Sequence, residues 1–124
     1  MMNLLAIAIG GATGSLCRYG MMNGICLLLG RGFPYGTLVV NILGSMLMGV
    51  AYVMMIEKIE FSPEWRIGII TGLLGAFTTF STFSIETLNL IEAGENLKAS
   101  LNVFLSVTLC ISGCWIGIFL TRQI

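Results

Sequence analysis

Four long apolar runs, parted by three short polar linkers, limit what this chain can become more than any other feature. They cover about residues 2–29, 35–56, 65–91 and 99–120. A helix of about 20 apolar residues spans a hydrocarbon core of roughly 30 Å. Inside that core every backbone N–H and C=O needs a partner from protein, and a helix supplies it within the segment. The linkers agree with such spans. Arg31-Gly32-Phe33-Pro34 carries a charge and a proline, Glu57 to Glu64 is charged and contains Pro63, and Glu92 to Lys98 is polar and broken by Gly94. Pro34 and Pro63 both fall just before a run, where the missing N–H costs nothing. Tyr35 and Trp65 open the second and third runs, as interfacial aromatics do. With 56% hydrophobic and only 10% charged residues, the chain could not cover a water-facing surface. It reads as an all-α membrane protein, residues 1–124 forming one four-helix transmembrane domain.

Several function classes drop out. The chain holds no phosphate-binding loop, no nucleotide fingerprint and no histidine, so it is not read as an enzyme or an ATP-driven pump. The bilayer is the expected environment and nucleic acid is not an expected partner. Met1-Met2-Asn3 has no basic flank or cleavage site of a signal peptide, so the first run is expected to stay. Cys17, Cys26, Cys110 and Cys114 all lie in apolar runs and match no zinc spacing. They read as small packing residues.

Orientation is poorly specified. With four spans, Lys58, Arg66 and Arg122 share one side and Arg31 and Lys98 the other, while Arg18 lies within a span. Three against two is almost no bias under the positive-inside rule, so both orientations can insert and pair as an antiparallel dimer. The helix faces suit assembly. Gly10, Gly14 and Arg18 recur every four residues, as do Asn41, Ser45 and Gly49, and as do Asn102, Ser106, Cys110 and Cys114. Small residues at that spacing let membrane helices approach closely. Packing alone explains such stripes, but all three also carry a polar or charged member. Arg18 and Glu86 are the ionisable groups within spans, where charge is costly unless it faces protein or a water-filled path. Reaching back to the interface is the alternative for both.

The third run contains Gly75-Ala76-Phe77-Thr78-Thr79-Phe80-Ser81-Thr82-Phe83-Ser84. Thr and Phe lose rotamer freedom in a helix, and hydroxyls compete for backbone groups, so a local break at membrane depth is expected. Thr78, Thr82 and Glu86 are spaced to share one face of an unbroken helix, and Phe80 and Phe83 project together. An aromatic ring has a positive edge that attracts an anion without a formal charge to trap it. Conduction needs that compromise between entering and leaving. A break also frees backbone carbonyls, and if two antiparallel copies meet there, carbonyls from both suit a hard monovalent cation.

Three motifs carry a resemblance that covers the whole chain. They are Gly10-Gly11-x-x-Gly14-x-x-x-Arg18-Tyr19, Gly36-Thr37-Leu38-x-Val40-Asn41-x-x-Gly44, and Gly75-x-Phe77-Thr78-Thr79-Phe80-Ser81-Thr82-Phe83-Ser84 followed by Glu86. In these the chain resembles the Fluc (CrcB-type) fluoride channels. The resemblance implies four transmembrane helices with the third broken near its middle, and a dual-topology antiparallel homodimer with two fluoride pores. It implies passive export of fluoride across the cytoplasmic, or inner, membrane. It also implies a structural, untransported Na+ at the dimer centre, held by the backbone carbonyls of Gly75 and Thr78 of each copy. Phe80 and Phe83 would turn ring edges to the anion and Asn41 would donate its amide. Arg18 would stand near the vestibule, and Thr82, Ser84, Glu86 and Ser106 would be polar positions along or near the pore. Cys110 departs from the pattern, since a hydroxyl is expected one turn after Ser106. The rival reading is a proton-coupled exporter of the small multidrug-resistance type. Proteins of that type carry an embedded Glu in the first span, and here the first run holds Arg18 and no acid. A second rival is an assembly subuni whose stripes serve packing alone.

Overall fold

The computed structural model describes residues 1–124 and consists of helices alone. Helix α1 spans Met2–Leu29 and α2 spans Tyr35–Lys58, with Val53–Lys58 wound in the wider π form. The third rod, Pro63–Glu92, comes in two pieces, α3 over residues 63–77 and α4 over Phe80–Glu92. Helix α5 spans Asn96–Gln123. Thus all four apolar runs form helical rods, each overrunning or matching its expected bounds by a few residues. Three of the rods, α2, α3–α4 and α5, are long and apolar enough to cross a membrane. Helix α1 is as long as α5, but Arg18 and Asn23 interrupt its interior, whereas the charged residues of α5, Lys98 and Arg122, lie at its ends.

Local chemistry sets the ends. Gly30 takes a positive φ of 82° after α1, and its N–H closes onto the carbonyl of Cys26. Gly94 does the same work after α4 with φ 78°. Only glycine enters this left-handed region freely. Pro63 starts α3 at a position where its missing N–H is no loss.

Glycines then decide which rods touch. Helix α1 lies against α3 because Gly10 and Gly14 present no side chain to it. A Cβ at Gly10 would strike the carbonyl of Gly68, and one at Gly14 that of Leu73. Helix α2 crosses α5 in the same way, a Cβ at Gly49 striking the carbonyl of Cys114 and one at Gly117 that of Met46. These contacts join backbones directly, as small-residue faces allow in membranes. The α1 stripe is thus a packing face through Gly10 and Gly14. In α2 only Gly49 of the expected stripe meets α5, and α5 packs through Gly113 and Gly117, beside its expected stripe, because only glycine lets the two backbones touch. Only 22 of 124 residues are buried, which leaves Leu4, Leu16, Leu27, Phe104 and Ile111 among many large apolar side chains on the outside, an arrangement suited to lipid.

Candidate functional site

The third rod breaks where the hydroxyl-rich stretch predicts it. Thr78 (φ −82°, ψ 159°) and Thr79 (φ −152°, ψ 111°) are extended between α3 and α4. The break removes Thr79 N–H from the helical ladder, and another rod replaces the lost partners. Asn41 of α2 donates from Nδ2 to the Thr79 carbonyl at 2.9 Å and accepts from the Thr79 N–H on Oδ1 at 2.8 Å. One carboxamide thus satisfies both backbone groups of a buried residue, as depth in a membrane requires. One of its two amide hydrogens remains for other partners. The Thr79 hydroxyl caps α4 by accepting from the Thr82 N–H at 3.2 Å, and it donates to the Thr82 hydroxyl at 2.9 Å. On the other side of the break, Arg18 Nη1 donates to the Thr78 carbonyl at 3.3 Å, and the Thr78 hydroxyl donates back to the Leu74 carbonyl at 3.1 Å. Arg18 is half-buried and reaches the third rod; it does not turn outward to an interface. Gly44 lies beneath the break, since a Cβ there would strike the Thr78 methyl and come within 3.1 Å of the Phe77 ring.

A groove of about 450 Å³ runs beside this break between α2, α4 and α5. Asn41, Ser45, Met48, Thr78, Thr79, Phe80, Phe83, Ser106, Cys110 and Cys114 are among its lining residues, and no charged side chain is. The Phe80 and Phe83 rings meet at 5.2 Å with planes 47° apart, so α4 presents them together as the spacing predicts. Phe77, the first of the triplet, is buried instead against Gly44. Phe80 is 77% exposed, so this side of the groove is open in a single chain.

The groove gathers Asn41, Phe80, Phe83, Ser106 and Thr78 from the expected set, but not Arg18, Gly75, Thr82, Ser84 or Glu86. Thr82 is taken up by the cap, and Ser84 donates to the Phe80 carbonyl at 2.9 Å. The single face expected for Thr78, Thr82 and Glu86 does not form, because the extended backbone at Thr78 and Thr79 resets the helical phase between them. Glu86 turns toward Thr37 of α2. Its Oε2 and the Thr37 hydroxyl are both buried without a hydrogen-bond partner.

Other residues enter that sequence reasoning left without a role. Thr79 carries the cap. Thr37 stands one turn before Asn41 on the same face of α2, a spacing that could have drawn notice. Asn102 of α5 donates at 2.9 Å to the Thr87 hydroxyl, which donates at 2.7 Å to the Phe83 carbonyl, tying α5 to α4 inside the protein. No cluster of three acidic, cysteine or histidine side chains exists that could hold a metal ion, which leaves backbone oxygen. Asn41 holds the Thr79 N–H that would otherwise close the turn onto the Gly75 carbonyl. The Thr78 carbonyl keeps a second lone pair beside its contact with Arg18. Two neutral carbonyls per chain fit a hard monovalent cation, provided that a second copy completes the ligand shell.

The model of the CrcB-like protein family, Camphor Resistance (CrcB), matches residues 5–118 of the sequence. The chain belongs to the CrcB-like family. Among curated relatives, the fluoride-specific ion channel FluC of Coxiella burnetii (strain Dugway 5J108-111) is 50% identical over 124 residues, covering 99% of this chain and all of its own. The FluC of Geobacter sulfurreducens is 48% identical over 124 residues and the whole of both chains. The FluC of Methylococcus capsulatus (strain Bath) is 52% identical over 123 residues, and there this chain spans about half of the relative, 54%. CrcB-like proteins with these names are channels and not enzymes, and three apolar rods make this member a multi-pass membrane protein.

Proposed function

We propose that this chain is a passive, fluoride-selective channel that lets fluoride leave the cell across the cytoplasmic (inner) membrane. The observation that carries the reading is the uncharged groove at the break, where paired phenylalanines and neutral hydroxyl and amide groups adjoin backbone freed from the helix. A fixed Lys or Arg in the path would hold an anion too long. Ring edges, hydroxyls and one spare amide hydrogen of Asn41 offer several weak sites in succession. The name of the anion comes from the FluC relatives. The driving force needs no coupling. Fluoride enters as its weak acid and ionises, and an inside-negative potential favours its exit by about 2.3 kcal/mol per 100 mV.

In this reading residues 1–124 are one domain in which all four rods cross the membrane, α1 included. Two copies pair in opposite orientations, as the near-even charge count permits, and form two pores. Pairing covers the open side of the groove and the exposed face of Phe80. The Gly75 and Thr78 carbonyls of both copies would hold a structural Na+ that fixes the breaks against each other and is not transported. Phe80, Phe83, Asn41 and Ser106 line the path. Thr82 and Ser84 shape the start of α4, Glu86 and Thr37 offer an unsatisfied polar pair beyond the groove, and Arg18 holds the break from behind.

The test is anion efflux from liposomes containing purified protein. Fluoride should leave rapidly and chloride should not. Equal rates for the two anions would defeat the selectivity.

A further inference from the structure

We propose that the Cys110–Cys114 side of the groove is a binding site for a soft, thiophilic cation, with Met48 as a third sulfur ligand. The three side chains come from two helices and line one cavity. Cys110 and Cys114 stand one turn apart on α5, which puts their Cβ atoms about 5–6 Å apart on one face. Two metal–sulfur bonds of about 2.3 Å each span that gap. The facing helix is held at this level. Gly49 packs against the carbonyl of Cys114, and a Cβ there would come within 3.0 Å of the Ile118 N, so the backbones are in contact and Met48 is carried to the same turn. Ser45 lines the same groove as Cys110. All four cysteines of the chain are free thiols.

The chemistry selects the class of ion. Thiolate and thioether ligands favour soft d10 ions such as Cu(I), Ag(I) and Hg(II) over Na+, Mg2+ or Ca2+. Zinc would want four nitrogen or sulfur ligands, and no further cysteine, histidine or acid stands here. Charge balance suits an uncharged groove. Hg(II) forms two Hg–S bonds and displaces two thiol protons to water, leaving a neutral complex. A monovalent soft ion forms one M–S bond to a thiolate, displaces one proton and takes the Met48 thioether as neutral ligand. Neither leaves net charge in a low-dielectric site, where an unpaired charge is costly. A bound ion occupies the groove between Asn41 and the phenylalanines on one side and α5 on the other. It therefore plugs the path, a consequence that rests on the proposed channel function; the binding does not.

The experiment titrates mercuric chloride into purified Cys17→Ser/Cys26→Ser protein and follows the ultraviolet thiolate-to-mercury charge-transfer band. Fluoride efflux is measured on the same protein in liposomes, each variant against its own metal-free rate. The expected result is a band that saturates at one ion per chain, a fall in efflux of at least tenfold, and reversal of both by excess dithiothreitol. Cys110→Ser and Cys114→Ser each keep one thiol, which takes mercury as RS–Hg–Cl with loss of one proton and one chloride. Each should therefore lose most of the two-thiolate band and release the metal to far less dithiothreitol, and Met48→Leu should shift the Ag(I) block to higher concentration. Absence of the band, or a band unchanged in Cys110→Ser/Cys114→Ser, overturns the site. A band with undiminished efflux upholds the site and counts against the groove as the anion path.

Discussion

Replacing Asn41 by Leu removes the carboxamide that holds the break and leaves a side chain of similar size. In the native chain that group makes two hydrogen bonds, at 2.9 and 2.8 Å, to the carbonyl and N–H of Thr79. Thr79 is 6% exposed, so solvent cannot take over either bond. Leaving a buried donor or acceptor unpaired costs about 1–3 kcal/mol, so the two losses sum to about 2–6 kcal/mol. In Asn41→Asp an ionised carboxylate still accepts from the Thr79 N–H but faces the Thr79 carbonyl without a donor, which costs about 1–3 kcal/mol for the lost bond and adds the penalty of a charge at membrane depth. The assay is reversible unfolding in mixed micelles at increasing SDS fraction, followed by circular dichroism. Leu and Asp should each shift the midpoint more than Ser45→Ala, which touches the groove but not the break. An Asn41→Leu protein within about 0.5 kcal/mol of the native one would refute the bracing of the break by Asn41.

Glycine placement gives a paired test of packing. Gly14→Ala drives a methyl into the Leu73 carbonyl and should destabilise by about 1–3 kcal/mol, whereas Gly24→Ala meets nothing within 4 Å and should be neutral or stabilising by up to about 1 kcal/mol in the same unfolding assay. Phe80→Ile and Phe83→Ile keep apolar bulk but lose the ring edges, and each should lower fluoride efflux at least tenfold while the protein still assembles; native efflux from both would exclude the ring-edge path. Exchanging all sodium for a bulky organic cation should lower efflux or the stability of the pair, and indifference to the exchange would count against the cation at the Gly75 and Thr78 carbonyls.

Much was legible in the sequence because membranes make helices a local matter. Each backbone group in a rod is satisfied three to five residues away, so apolar length and short polar linkers suffice to mark the four rods. The break was legible for a related reason, since the hydroxyls from Thr78 to Ser84 compete with the helix for backbone groups, though that Thr79 caps the next helix was not. The glycine stripes likewise announced close-packing faces. Their partners were not announced. That Gly14 meets Leu73 and Gly49 meets Cys114 depends on rotation and depth between rods far apart in the chain, which no local pattern encodes. The same holds for the site. Phe80 and Phe83 could be paired from their spacing, but Phe77 belongs to the same triplet and faces the core, because the break turns α4 relative to α3. Asn41 could be marked as a polar residue at depth, and only packing reveals that Thr79, 38 residues away, takes both ends of its amide. The sequence by itself determined the rods and the weak point in the third. The tertiary structure decided what repairs that weak point and which side chains share the groove beside it, because those depend on hydrogen bonds and contacts made across rods.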